Sequence, residues 1–132
     1  MDDKKITIRR WLIRAEHDLL TARAMLRLPE APTDVVCYHS QQCMEKTLKA
    51  WLVHAEVDFP KTHNLRRLLN LCALKNEEFL KLDNCAIALT DYAAETRYVD
   101  DWREIPMQEA IDAAEQAKTA LDFVRQKLRL QG

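Results

Sequence analysis

Apolar residues along this chain recur at the three- and four-residue intervals of a helix face rather than in the alternation of a half-buried strand. The first periodic run spans about Ile6 to Leu28, with Trp11, Ala15, Leu19, Ala22 and Leu26 on one face. It stops at Pro29 and Pro32, whose rings cannot continue a helix. Thr33 or Asp34 is positioned to cap a second helix reaching about Glu56, with Cys37, Met44, Leu48, Trp51, Leu52 and Ala55 as its main apolar face. Val36, Cys43 and Ala50 add apolar positions off that face, so this helix is expected to be packed on more than one side. After the Asp58-Phe59-Pro60 break, Thr62 is the expected cap of a short helix carrying Leu65, Leu68, Leu69 and Cys72. A fourth is expected from Glu77 to Thr96, kinked near Asp83, with Leu82, Cys85, Ala86, Leu89 and Ala93 inward. The Arg97–Ile105 loop leads to Pro106, well placed for the first turn of a fifth helix. There Ala110, Ala113, Ala114, Ala117, Leu121, Val124 and Leu128 form a small-residue face that lets a neighbour approach closely. The expectation is an all-α, up-and-down bundle of four long helices and one short one, a single domain over residues 1–132.

Composition narrows the chemistry. The chain has a single glycine, at its last position, which excludes the glycine-rich loops that cradle nucleotide phosphates. Cys37, Cys43, Cys72 and Cys85 sit at apolar periodic positions without a CxxC pair and are expected to be reduced core thiols. No metal site and no cofactor is expected. No segment is long and apolar enough to span a bilayer, and MDDKKITIRR carries no signal-peptide core, so a cytoplasmic location is expected. A formal net charge of −1 gives no overall attraction for nucleic acid; only a local patch could supply one.

The informative polar residues lie on the second helix. At ~100° per residue, His39, Gln42, Lys46 and Lys49 fall in one stripe opposite Met44, Leu48 and Leu52. Gln41 points toward the core, where its amide needs partners. The stripe reads either as an internal hydrogen-bond network with a solvated lysine face, or as an anion site in which lysines meet phosphate and His39 supplies a titratable proton. Lys61 and His63 could extend it at the next helix start, Lys61 joining Lys46 and Lys49 while His39 faces the end carrying Arg97 and Tyr98. Beyond Tyr98, the loop surrounds Trp102 with Asp100, Asp101, Arg103 and Glu104, a composition that suits a subunit contact, a ligand site or plain solvation.

The segments RAEHDLLTARAML, YHSQQCMEKTLKAWL, KTHNLRRLL and ETRYVDDW, in that order and spacing, resemble the HEPN (higher eukaryote and prokaryote nucleotide-binding) family over nearly the whole chain. The most specific stretch is the HxxQxxEKxLKA pattern from His39 to Ala50, followed by KTH at Lys61–His63. The resemblance implies a five-helix bundle, usually a homodimer, often encoded beside a minimal nucleotidyltransferase with which it forms a complex or a toxin–antitoxin pair.

Many HEPN proteins are metal-independent ribonucleases whose motif is an arginine followed, a few positions on, by a histidine. Arg97 matches that arginine by position, yet Trp102 and Arg103 occupy the candidate histidine positions, and Asp100 and Asp101 would repel phosphate. The resemblance therefore points to a non-catalytic module that binds a nucleotide, a partner nucleotidyltransferase or both, with RNA the lesser expectation. The alternatives are a ribonuclease with a degenerate motif, using His39 or His63 with Arg97, and a purely structural dimerisation bundle.

Overall fold

The computed structural model describes residues 2–93 and 102–130. Its helices are α1 (Asp3–Leu26), α2 (Thr33–His54), α3 (Leu65–Lys75), α4 (Asp83–Leu89) and α5 (Met107–Leu130), and no strand occurs among the described residues. The all-α bundle expected from the hydrophobic pattern is what forms. None of the described helices is long and apolar enough to cross a membrane.

The bundle is organised around α2. It packs most extensively on α1, then on α5, and also touches α3 and α4, whereas α1 and α5 meet each other only slightly. Met44, Leu48, Leu52 and Trp51 face the core, and Val36, Cys43 and Ala50 are buried on other sides, so the helix is enclosed as its surplus of apolar positions suggests. Burying a Leu or Phe side chain is worth ~1.5–3 kcal/mol. α1 contributes Ala15, Leu19 and Ala22, and α5 presents Ala110, Ala113, Ala117 and Ala120 before Leu121 and Val124. The alanines allow α5 to lie close to α2, as the small-residue pattern requires.

Helix ends depart from the sequence reading where side-chain caps compete. α1 begins at Asp3 rather than near Ile6 because the Asp2 carboxylate accepts from the Lys4 amide at 3.0 Å. α2 has no side-chain cap: Pro32 precedes it, and its carbonyl accepts from the Val36 amide. Neither Thr33 nor Asp34 caps it, since both lie inside the first turn. α3 is capped by Asn64, whose carboxamide reaches the Arg67 amide at 3.1 Å; Thr62 accepts from the Asn64 amide one step earlier.

The run from Glu77 onward is segmented. A 3-10 stretch, Glu77–Leu82, gives way at Asp83 to α4, and another, Thr90–Ala93, follows. Asn76 accepts from the Glu78 amide at 3.0 Å and starts the first of these tighter turns. They carry Phe79 into the core, with ring centroids 4.4 Å from Trp51 and 5.1 Å from Phe123.

α2 ends in a Schellman turn. The Glu56 amide donates to the Val53 carbonyl at 3.1 Å and the Val57 amide to the Leu52 carbonyl at 3.0 Å, with Glu56 at φ 59°. That left-handed position usually goes to glycine, which this stretch lacks.

Candidate functional site

The polar stripe of α2 resolves into two carboxylate-centred clusters. Asp18 of α1 lies against α2, where His39 and Lys46 stand two turns apart. One carboxylate oxygen is 2.8 Å from His39 Nδ1, and the other accepts from Lys46 Nζ at 2.6 Å. The ring of Tyr38 sits edge-on to His39, centroids 5.4 Å apart.

Glu45, nearly fully buried, centres the second cluster. Its Oε2 accepts from Lys49 Nζ at 3.0 Å, and its Oε1 is 2.8 Å from His63 Nδ1. Gln41 and Gln42 each place Nε2 at 3.4 Å from the same Oε1. Gln41 also donates to the His63 carbonyl at 3.0 Å and accepts from Gln42 at 2.7 Å, so its buried amide is partnered at both ends. The Lys49 ammonium lies 5.5 Å from the Trp11 ring centre and 5.9 Å from that of Phe59, within cation–π range.

This geometry alters the sequence reading of the site. Lys46 and Lys49 do not end in solvent: their side chains are 18% and 10% exposed, each on an internal carboxylate. Nor does the stripe stay one cluster. His39 and Lys46 share Asp18, whereas Gln42, Lys49 and His63 share Glu45. His63 docks beside the middle of α2, because the connector after α2 folds back along it. Lys61 is exposed on that connector and makes no ion pair among the described residues. Arg97 and Tyr98 lie outside the described residues. Asp18 and Glu45 are the organising residues that sequence reasoning missed. Glu45 was visible as the partner one turn before Lys49; Asp18 had no local signal, because its partners lie on another helix.

A third cluster fastens the approach to α5. Arg103 donates from both terminal nitrogens to Glu109, at 3.1 and 2.6 Å, and the Tyr92 hydroxyl donates to the same carboxylate. Burial, then the bond to Glu109, pushes the Tyr92 hydroxyl above its ordinary pKa. Trp102, beside this pair, is 60% exposed. All four cysteines are free and buried. Desolvation pushes the thiol of Cys37 up to about 11 and those of Cys43 and Cys72 up to about 12, so none is a ready thiolate. No group of three or more His, Cys, Asp or Glu able to hold a metal occurs among the described residues.

The family model of the HEPN domain matches residues 8–129. The chain belongs to the HEPN domain family. A solved structure, that of TT1696 from Thermus thermophilus, is similar to this HEPN chain at 30% sequence identity and a TM-score of 0.71, over 91% of this chain and 97% of that one. No curated protein matches.

Proposed function

We propose that this HEPN chain is a non-catalytic binding module that works as a homodimer with a minimal nucleotidyltransferase, in a toxin–antitoxin arrangement. The observation that carries the partner-binding half of this reading over nucleotide binding is the pairing of Lys46 with Asp18 and of Lys49 with Glu45. Each lysine is already neutralised, so a phosphate would have to compete with a carboxylate held inside the protein. A protein partner makes no such demand on the stripe. The absence of a histidine in the expected positions after Arg97 supports the non-catalytic half.

The test is coexpression with a minimal nucleotidyltransferase from the same organism, followed by size-exclusion chromatography and calorimetry. Co-elution at physiological salt, with no saturable heat on titrating ATP, is expected. Separate elution with no heat of mixing at micromolar concentrations overturns the reading. Saturable ATP binding that Lys46→Ala or Lys49→Ala removes moves it to the nucleotide.

One feature favours the ribonuclease alternative. His39 and His63 are each held at Nδ1 by a carboxylate, an arrangement that fixes the tautomer and leaves Nε2 for proton transfer. Metal-independent RNA cleavage lost in His39→Ala or His63→Ala is the result that would establish it.

A further inference from the structure

Most cations outside the two clusters lie on the outer surface, and part of them collects along one flank. α1 and α5 both pack on α2 but scarcely on each other, which leaves a groove between them. A concavity of about 490 Å³ opens there, lined by Leu12, Leu128, Arg125 and Arg129. Arg125 bonds Glu16 across the groove while Leu12 lies by Leu128, so the two helices run antiparallel with a fixed register.

That register decides what else faces the groove. At ~100° per residue, Lys5, Arg9, Arg23 and Arg27 lie within the same arc of α1 as Leu12 and Glu16, over a length of ~33 Å, with Lys5 continuing the flank past the end of α5. None of the four makes an ion pair or side-chain hydrogen bond among the described residues, and neither does Arg129. Of the carboxylates at this flank, Glu16 is partnered by Arg125 and Asp122 by Lys118 at 2.6 Å, while exposed Glu115, two turns before Asp122, makes no ion pair among the described residues. Five unpaired cations therefore stand against one unpaired carboxylate along one flank of a chain whose formal net charge is −1. Aliphatic surface is interleaved with them: Leu12 and Leu128 are half-buried in the floor, while Ile13 and Leu20, 38% and 67% exposed, rise beside it.

We infer that the α1–α5 groove is the docking surface for an acidic amphipathic helix of a partner protein. The inference rests on the partner-binding reading above only in giving the groove a protein occupant. A straight flank with cations at its rims and aliphatic side chains between them matches a helix with leucines on one face and glutamates beside them. RNA fits less well. It would use the cations but gain nothing from exposed Ile13 and Leu20, and no aromatic ring lines the concavity on which a base could stack. A lipid surface would meet a convex apolar face rather than a groove between two helices.

The probe is a synthetic amphipathic peptide with leucines at i, i+3, i+4 and i+7 and glutamates elsewhere, compared with a scrambled peptide of the same composition. Fluorescence anisotropy should show the amphipathic peptide bound at least about tenfold more tightly, a difference of about 1.4 kcal/mol. Arg9→Glu with Arg129→Glu should weaken it by at least about tenfold, whereas Lys75→Glu with Lys81→Glu, the same charge change on another face, should leave it unchanged. Both groove residues are exposed, so circular dichroism and the thermal midpoint should be those of the parent. Equal binding of the two peptides, or equal loss in the two charge variants, overturns the inference. So does tighter, groove-dependent binding of duplex RNA or of anionic vesicles, or self-association that depends on the groove while the peptide does not. If the nucleotidyltransferase co-elutes with the parent and equally with Arg9→Glu/Arg129→Glu, this surface is wrong and the partner-binding reading stands.

Discussion

His63 Nδ1 lies 2.8 Å from Glu45 Oε1, which ties the connector after α2 back to the middle of the helix it has just left. The same carboxylate holds Lys49, so one buried charge fixes both an internal lysine and a loop. Its neutralisation has a definite consequence. Glu45→Gln should lower stability by about 3 kcal/mol, because Lys49 is left as an uncompensated buried cation. Replacing both members, as Glu45→Leu with Lys49→Met, should recover most of that loss. Urea unfolding of the three proteins checks this, and a double variant no more stable than the single one would contradict it.

The two lysines of the stripe should not behave alike. Lys46→Ala removes one partner of a carboxylate that keeps His39, at a site less enclosed than that of Lys49. Lys49→Ala removes an ion pair and the contacts with Trp11 and Phe59 together. Losses of about 1–2 and about 3 kcal/mol are expected, in that order. Thermal midpoints suffice to rank them, and equal, negligible shifts would restore the solvated-face reading.

Glu56 offers a gain in stability. Its left-handed backbone carries a side-chain penalty of roughly 1–2 kcal/mol, and its exposed ion pair with Lys4 at 3.3 Å returns little. Glu56→Gly should therefore stabilise the protein by about 0.5–1 kcal/mol net. A variant with a lowered urea midpoint would show that the ion pair outweighs the backbone.

Alkaline pH should weaken the fold through its thiols. An unfolded cysteine loses its proton near pH ~8.5, whereas burial holds Cys37 to about 11 and Cys43 and Cys72 to about 12. Between those values the folded chain binds more protons than the unfolded one, so stability is full below pH ~8.5 and falls as pH rises. The loss is about 1.4 kcal/mol per pH unit per thiol. Urea midpoints should drop between about pH 8 and 10.5, less steeply in Cys43→Ala, and the native thiols should resist a disulfide reagent at about pH 8. Rapid native labelling would refute both.

The helices were legible because their cause is local. Spacing alone placed Ala15, Leu19 and Ala22 inside, marked the alanine face of α5, and showed that α2 had too many apolar sides for a surface helix. The family was legible from the His39–Ala50 block. What spacing could not reveal was the destination of the polar stripe. A helical wheel places His39, Lys46 and Lys49 opposite the core, and solvent is the default inference. The structure instead lays Asp18 of α1 and the returning connector on that side, contacts made across 21 to 28 positions and 18 positions of chain respectively. The caps failed for a related reason: Thr33, Asp34 and Thr62 are all competent residue types, and the winner at each end is set by how the preceding turn enters.

The contacts of α2 also bear on the order of assembly. The hairpin of α1 and α2 can form as soon as both have left the ribosome, with Asp18 already within reach of Lys46. Its Met44–Leu48–Leu52 side then faces water until α3 and α5 arrive, and α5 lies far along the chain. A nascent chain halted before Leu121 and Val124 would carry that open seam, and a chaperone that grips exposed leucines would find its foothold there rather than on the lysines.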